Sequence, residues 1–289
     1  MNLRQVRKKI KSVTNVKKIT KAMQLVSAIK MKKAQAMAIE GKPYQQHIEE
    51  IIKEITPKID PSFSSLVSQT IDRDKKLKIL SIVISTNKGL CGSFNFNLLR
   101  YIIKNSDLKI TDFVVIGKKA SLLSKFGANI IADYTTAMPV SNVSAIFEFA
   151  LKHFIDGSYD RVFVFYNEFI STLKSEPMKT TLLPVSLSLD KNPKDHAPIQ
   201  KAYEYSIEPS PEQIIDSLLK SFVEEKIRYA VIQSEAGEHS SRMIAMKSAT
   251  DNATEVIFNL TSMRNKIRQE KITSELLDMI TAKESVESN

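Results

Sequence analysis

The sequence predicts an α/β protein in which two long terminal helices pair as a coiled coil and flank a middle domain with a mainly parallel sheet. Three observations carry that expectation. The N-terminal segment repeats apolar residues every three or four positions, with no Gly before Gly41 and no Pro before Pro43. The C-terminal segment carries a heptad seam. Between about Asp74 and Pro209 the apolar period changes to short β-rich runs that alternate with helical stretches.

The first helix is predicted to start at Asn2, whose side chain can cap free backbone amides, with Gln5 placed three residues on as the reciprocal partner of a capping box. Leu3, Val6, Ile10, Val13, Val16, Ile19, Met23, Val26 and Ile29 then form a stripe. Lysine dominates the other side. Continued to about Ile55, and bending near Pro43, this helix would be roughly 80 Å long at about 1.5 Å per residue.

The last helix is predicted to begin at Ser210-Pro211-Glu212-Gln213, with Ser210 as N-cap, Pro211 at the first helical position and Gln213 closing a capping box. Met246, Ala249, Ala253, Val256, Leu260, Met263 and Ile267 alternate steps of three and four, the spacing of a coiled-coil seam. The seam then slips to Ile272, Leu276 and Met279, so the partner contact is expected to end or change near Arg268 to Lys271. Each helix must bury its stripe. Pairing the two with each other does so.

In the middle, candidate strands are Leu77 to Ile84, Asp112 to Ile116, Asn129 to Tyr134, Arg161 to Tyr166 and Thr180 to Val185. Helix-like segments at Asn95 to Lys104, Lys118 to Phe126 and Asn142 to Ile155 separate them, which argues for parallel crossovers. The expected plan is an N-terminal helix over 1–56, a connector over 57–73, an α/β domain over 74–209 and a C-terminal helix over 210–289.

The composition, 43% hydrophobic and 26% charged, suits a folded chain rather than a disordered one, and no apolar run reaches the length of a membrane span. A lone cysteine, Cys91, excludes an internal disulfide and a multi-thiolate zinc cluster. The net charge of +10 is concentrated early: residues 1–39 hold many lysines and no acid before Glu40. An Arg- and Ser-rich transit peptide fits this lysine-rich segment poorly, and it reads as mature protein. Nucleic acid is one partner such a face could take, but no aromatic residue precedes Tyr44 to stack on bases. An acidic protein is at least as good a match.

Catalytic signals are weak. The turn Asn87-Lys88-Gly89-Leu90-Cys91-Gly92-Ser93-Phe94-Asn95 follows a strand and opens a helix, where nucleotide loops lie, yet it fits neither the dinucleotide pattern nor the P-loop. A tight structural turn is the better reading, with a nucleotide-dependent enzyme as its rival. His47, His153, His196 and His239 are scattered, and Glu235, Glu238 and His239 read as a solvated helix surface rather than a cation site.

Three stretches resemble the F-type ATP synthase gamma subunit family, bacterial type: Asn15 to Met23, the turn Gly89 to Asn95, and Ser241 to Ala253. Asn265 to Gln269 followed by Ile272 to Leu276 resembles that family's C-terminal end. The resemblance implies that the coiled coil is antiparallel, that the middle domain is Rossmann-like, and that the chain is a central-stalk rotor subunit, non-catalytic on its own and without a cofactor. It implies one copy per complex, with alpha, beta and epsilon subunits and a c-ring as partners and no nucleic acid. It further implies a peripheral position on the cytoplasmic face of the bacterial inner membrane. By the same resemblance Lys17, Lys18, Lys21 and Met23 would lie near an acidic loop of beta, and Arg268 and Gln269 would bond a catch loop with Thr273 and Glu275 nearby. Tyr203, Tyr205 and Glu208 would lie near the c-ring and epsilon.

Overall fold

The computed structural model describes residues 2–55, 64–67, 77–136, 139–185, 208 and 210–287, with side chains through 283. The chain divides into two compact units, Met1–Ala28 with Arg242–Asn289, and Ile29–Ser241.

Two helices dominate: α1 over Leu3–Ile55 and α4 over Pro211–Glu287. The start of α1 is a capping box, because the Asn2 N–H donates to Gln5 Oε1 at 3.1 Å and the Arg4 N–H donates to Asn2 Oδ1 at 3.3 Å. Pro43 lies inside α1 without ending it. At the start of α4 the Gln213 N–H donates to the Ser210 carbonyl at 3.2 Å, and the Glu212 backbone amide, followed by the Ser210 side chain, holds the Glu212 carboxyl below its usual range.

The unit Ile29–Ser241 is built on a five-stranded sheet of order β3-β2-β1-β4-β5: β1 Ile79–Ile84, β2 Thr111–Ile116, β3 Asn129–Asp133, β4 Arg161–Ser171 and β5 Lys174–Leu183. Pairings β1–β2, β1–β4 and β2–β3 are parallel. Strand β1, Ile-Leu-Ser-Ile-Val-Ile, is central and covered on both faces, which is why, apart from Ser81, it reads as an apolar run instead of alternating. On one face Leu98, Leu99 and Ile102 of α2 (Phe94–Asn105) and Leu123 pack on Val83, Phe113, Val115 and Phe165. The other face is covered by α3 (Val143–Ile155) through Ile146, Phe147 and Phe154, by the end of α1 through Ile48, Ile52 and Ile55, and by Ile215 to Val231 of α4.

Two elements depart from the sequence expectation. The segment Lys118 to Phe126 is a 3-10 turn over Ala120–Phe126, closed by Gly127 at φ 86°, rather than an α-helix. The run Arg161 to Tyr166 continues to Ser171 and doubles back through Thr172-Leu173, so β5 is antiparallel and starts at Lys174, not Thr180. That turn has none of the Asn-Gly or Asp-Gly chemistry that announces a hairpin, which explains the missed element.

Where β2 ends, Gly117 has φ 94°, and a Cβ there would lie 2.2 Å from the Ser85 carbonyl oxygen. The close approach lets the Ser85 hydroxyl donate to Gly117 O at 2.8 Å while accepting from the Ala120 N–H at 2.8 Å, tying β1 to the 3-10 turn. Within the same unit Gly41 of α1 meets Glu225 of α4, and Lys30 and Lys33 act on Glu235, so the two helices run antiparallel there.

Candidate subunit-docking surface

The unit Met1–Ala28 with Arg242–Asn289 consists of the first half of α1 beside the last part of α4. Besides Arg242 at its edge, its buried positions define the seam: Val6, Thr20 and Ser27 on α1, and Met246, Thr250 and Ala253 on α4, with Leu3, Ile10, Val13, Lys17, Gln24, Ile257, Leu260, Arg264 and Ile267 half-buried. Steps of three and four again alternate, so both helices keep a coiled-coil period.

This seam is not the one read from apolar residues alone. On α1 the two coincide through Val13 and then part. Val16, Ile19 and Val26 are 49%, 60% and 54% exposed, and the inward positions are Lys17, Thr20, Gln24 and Ser27. The cause is geometric: Val13, Val16 and Ile19, then Met23, Val26 and Ile29, advance by three residues, too short for a seam of period 3.5, so the apolar stripe winds outward. On α4 the alternate seam positions fall one residue later than expected, on Thr250, Ile257 and Arg264 in place of Ala249, Val256 and Met263.

A polar seam must satisfy itself. The Thr20 and Thr250 hydroxyls lie 2.8 Å apart across the helices, and each also reaches a carbonyl of its own helix, Lys17 O at 3.1 Å and Met246 O at 2.8 Å. One hydroxyl therefore donates across while the other donates back along its helix. These two threonines sit in the motif-bearing stretches but were not singled out in the sequence. The only signal was a polar residue at a heptad position.

After Ile267 burial stops: every described side chain from Arg268 to Lys283 is exposed, including the apolar Ile272, Leu276, Leu277, Met279 and Ile280. Phe258 is bare as well, at 73%. Among the candidate site residues, Lys18, Lys21, Arg268, Gln269, Thr273 and Glu275 are exposed, whereas Lys17 and Met23 are half-buried. Lys21 donates to Gln24 Oε1 at 3.4 Å, and Glu275 pairs with Lys271 at 3.4 Å. The unit thus brings eight of the named residues onto one helix pair. Tyr203 and Tyr205 lie outside the described residues, and Glu208 is exposed.

The glycine turn of the other unit is a self-satisfied knot. Asn95 Oδ1 accepts from the Thr86 N–H at 3.3 Å, Asn95 Nδ2 donates to Thr86 Oγ1 at 2.8 Å and to the buried Cys91 Sγ at 3.2 Å, and Leu90 and Gly92 take left-handed φ of 63° and 60°. Its polar groups serve the turn. Among the described residues no group of His, Cys, Asp or Glu is arranged to hold a metal ion, and no helix is long and apolar enough to cross a membrane.

Comparison with known proteins agrees along the whole length. A family model described as ATP synthase matches residues 2–286. The chain is 34% identical over 296 residues to the ATP synthase gamma chain of Akkermansia muciniphila, covering 99% of each. It is 36% identical over 292 residues to that of Janthinobacterium sp., covering 98% of this chain and 99% of the relative. Among solved structures, a chain of Euglena gracilis mitochondrial ATP synthase (OSCP/F1/c-ring, rotational state 3) superposes with a TM-score of 0.67 at 19% identity over 98% of this chain and 94% of that one. A central stalk/c-ring chain from Tetrahymena thermophila gives 0.55 at 22% identity over 80% and 99%. With a family model over residues 2–286 and relatives at 34% and 36% identity over nearly the whole length, the chain belongs to the ATP synthase gamma chain family.

Proposed function

We propose that this chain is the central-stalk rotor subunit of an ATP synthase, passing torque between an ion-driven c-ring and a catalytic alpha/beta hexamer. The observation that carries the reading is the inverted polarity of α1 between Val16 and Ser27, where Lys17, Thr20, Gln24 and Ser27 turn inward and Val16, Ile19, Leu25 and Val26 turn out, with Phe258 of α4 exposed as well. A free-standing coiled coil places its apolar residues in the seam; one that works enclosed by a partner needs them outside as well.

Rotation changes the state of a catalytic subunit only if the rotor contacts its conformations unequally, since equal contact shifts no equilibrium. The exposed surface supplies such contacts. Lys18 and Lys21 complement an acidic loop of beta beside Met23 and Lys17, while Arg268 and Gln269 bond a second loop of beta, with Thr273 and Glu275 adjacent. Tyr203, Tyr205 and Glu208 face the c-ring and epsilon. The chain carries no catalytic group of its own in this reading, works as one copy per complex without nucleic acid, and is peripheral to the cytoplasmic face of the bacterial inner membrane through the ring.

Co-purification tests the proposal. The tagged chain, extracted gently from native membranes, should bring down alpha, beta and epsilon with ATPase activity. Recovery of the chain alone, or with nucleic acid, would sink it. Within the assembled complex, Met23→Lys should impair coupling between hydrolysis and ion pumping, because an added cation creates contacts that change unevenly through a turn.

A further inference from the structure

A single face of α4 is fastened to the β4–β5 hairpin, all within the unit Ile29–Ser241. Tyr229 Oη donates to Glu168 Oε1 at 3.4 Å, the Phe169 N–H donates to Gln233 Oε1 at 3.3 Å, and the Ser240 hydroxyl donates to the Thr172 carbonyl. Between these bonds lies Gly237, where an added Cβ would stand 2.8 Å from Ser175 Oγ and 2.9 Å from Phe94 Cε2. Phe94 opens α2 and is itself clipped to β4, since the buried Asn167 amide donates to its carbonyl at 3.5 Å. Positions 229, 233, 237 and 240 follow at helical spacing and so share one side of α4.

The nearby apolar contacts of Ile227, Ala230 and Val231 hold α4 to the domain, but apolar attraction has no direction of its own. Hydrogen bonds at three points and a missing Cβ at a fourth do have direction. Shifting α4 by one residue means a rise of about 1.5 Å and a turn of about 100°. That would carry Ala236 or Glu238 toward the Phe94 ring and break the three bonds.

We propose that this face and the hairpin form a register lock, which fixes α4 against axial slip and roll under load, with Gly237 as the positioning residue for torque transfer. The inference rests on the rotor reading above. Load applied to the α/β domain then reaches α4 without lost motion, and weakening the lock costs transmitted work before it costs catalysis.

The test uses the complete membrane complex. Gly237→Val should leave ATP hydrolysis near the unmodified rate, because the nucleotide sites lie elsewhere, while ions pumped per ATP fall several-fold; Gly237→Ala should fall between. A Thr172→Cys/Ser240→Cys pair in a Cys91→Ser background, closed with a short thiol cross-linker, should keep full pumping per ATP, since locked surfaces do not move in turnover. Combined with Gly237→Val, the closed pair should restore pumping. Unchanged pumping per ATP in an assembled Gly237→Val complex overturns the lock, and so does loss of pumping when the cysteine pair alone is closed. If Gly237→Val fails to assemble, the cysteine pair decides by itself. Failure of the unmodified chain to join an ATPase complex overturns the rotor reading instead, and is scored separately.

Discussion

At the scale of the residue, the threonine pair shows how a polar seam is kept. Replacing Thr20 or Thr250 by Val removes one hydroxyl and leaves its partner a poorer set of bonds in a buried place, at about 1–2 kcal/mol each. The double substitution should cost less than the sum, because the second change removes a group already deprived of its partner. Denaturant titration of the four proteins measures this; strict additivity would mean that the cross-helix bond contributes nothing. Glu235 offers a pH test. Burial, then the neighbouring Glu238, raises its carboxyl above the usual range, against the lowering pull of Lys30 and Lys33. For an acid with a raised folded value, its contribution to stability is fully present below the ordinary carboxylate range and lost as pH rises through the folded value. Glu235→Gln should therefore raise the melting temperature at neutral pH, and the gain should vanish at acid pH. A gain that grew on acidification would contradict the burial argument.

At the scale of the element, the sequence was legible where one force decided the outcome. The apolar run of β1, broken only by Ser81, announced a strand, and the capping box of α1 announced its start, because burial and capping leave local marks. The hairpin after Ser171 left none, since it depends on pairing between strands, whereas the outward drift of Val16, Ile19 and Val26 is written in their three-residue steps, which fall short of a coiled-coil period. Among the candidate site residues, exposure of Arg268, Gln269, Thr273 and Glu275 follows from the slipped seam that the sequence did show. The inward turn of Lys17 did not follow from charge alone. Gly117 bears the heaviest local demand, combining a left-handed φ with the Ser85 carbonyl 2.2 Å from a would-be Cβ. Gly117→Ala should cost about 3 kcal/mol or more, from the strained backbone and the parted β1–β2 contact together. A loss under half that, read by thermal unfolding, would mean that the junction yields easily.

At the scale of the whole molecule, docking residues and stability residues separate. Arg268 and Gln269 are exposed and make no seam, so Arg268→Ala with Gln269→Ala should change the chain's own unfolding by no more than about 0.5 kcal/mol per site. In the assembled enzyme the same pair should lower pumping per ATP. Unchanged pumping would count against their place at a subunit contact. The bare apolar side chains from Val16 to Val26 and from Phe258 to Ile280 should make the isolated chain bind a hydrophobic dye such as ANS, and assembly should quench that signal. A silent isolated chain would show that these side chains find cover within the chain itself.

The inverted polarity of α1 between Val16 and Ser27 reaches beyond mechanics into the life of the chain in a cell. A molecule that keeps Lys17, Thr20, Gln24 and Ser27 inside while showing Val16, Ile19 and Phe258 to water presents, until enclosed, the signature that chaperones and proteases use to recognise unfinished proteins. Its abundance is then expected to follow that of its neighbours: copies made in excess of the enclosing subunits are degraded, and the stoichiometry of the assembly is kept by turnover rather than by matched synthesis.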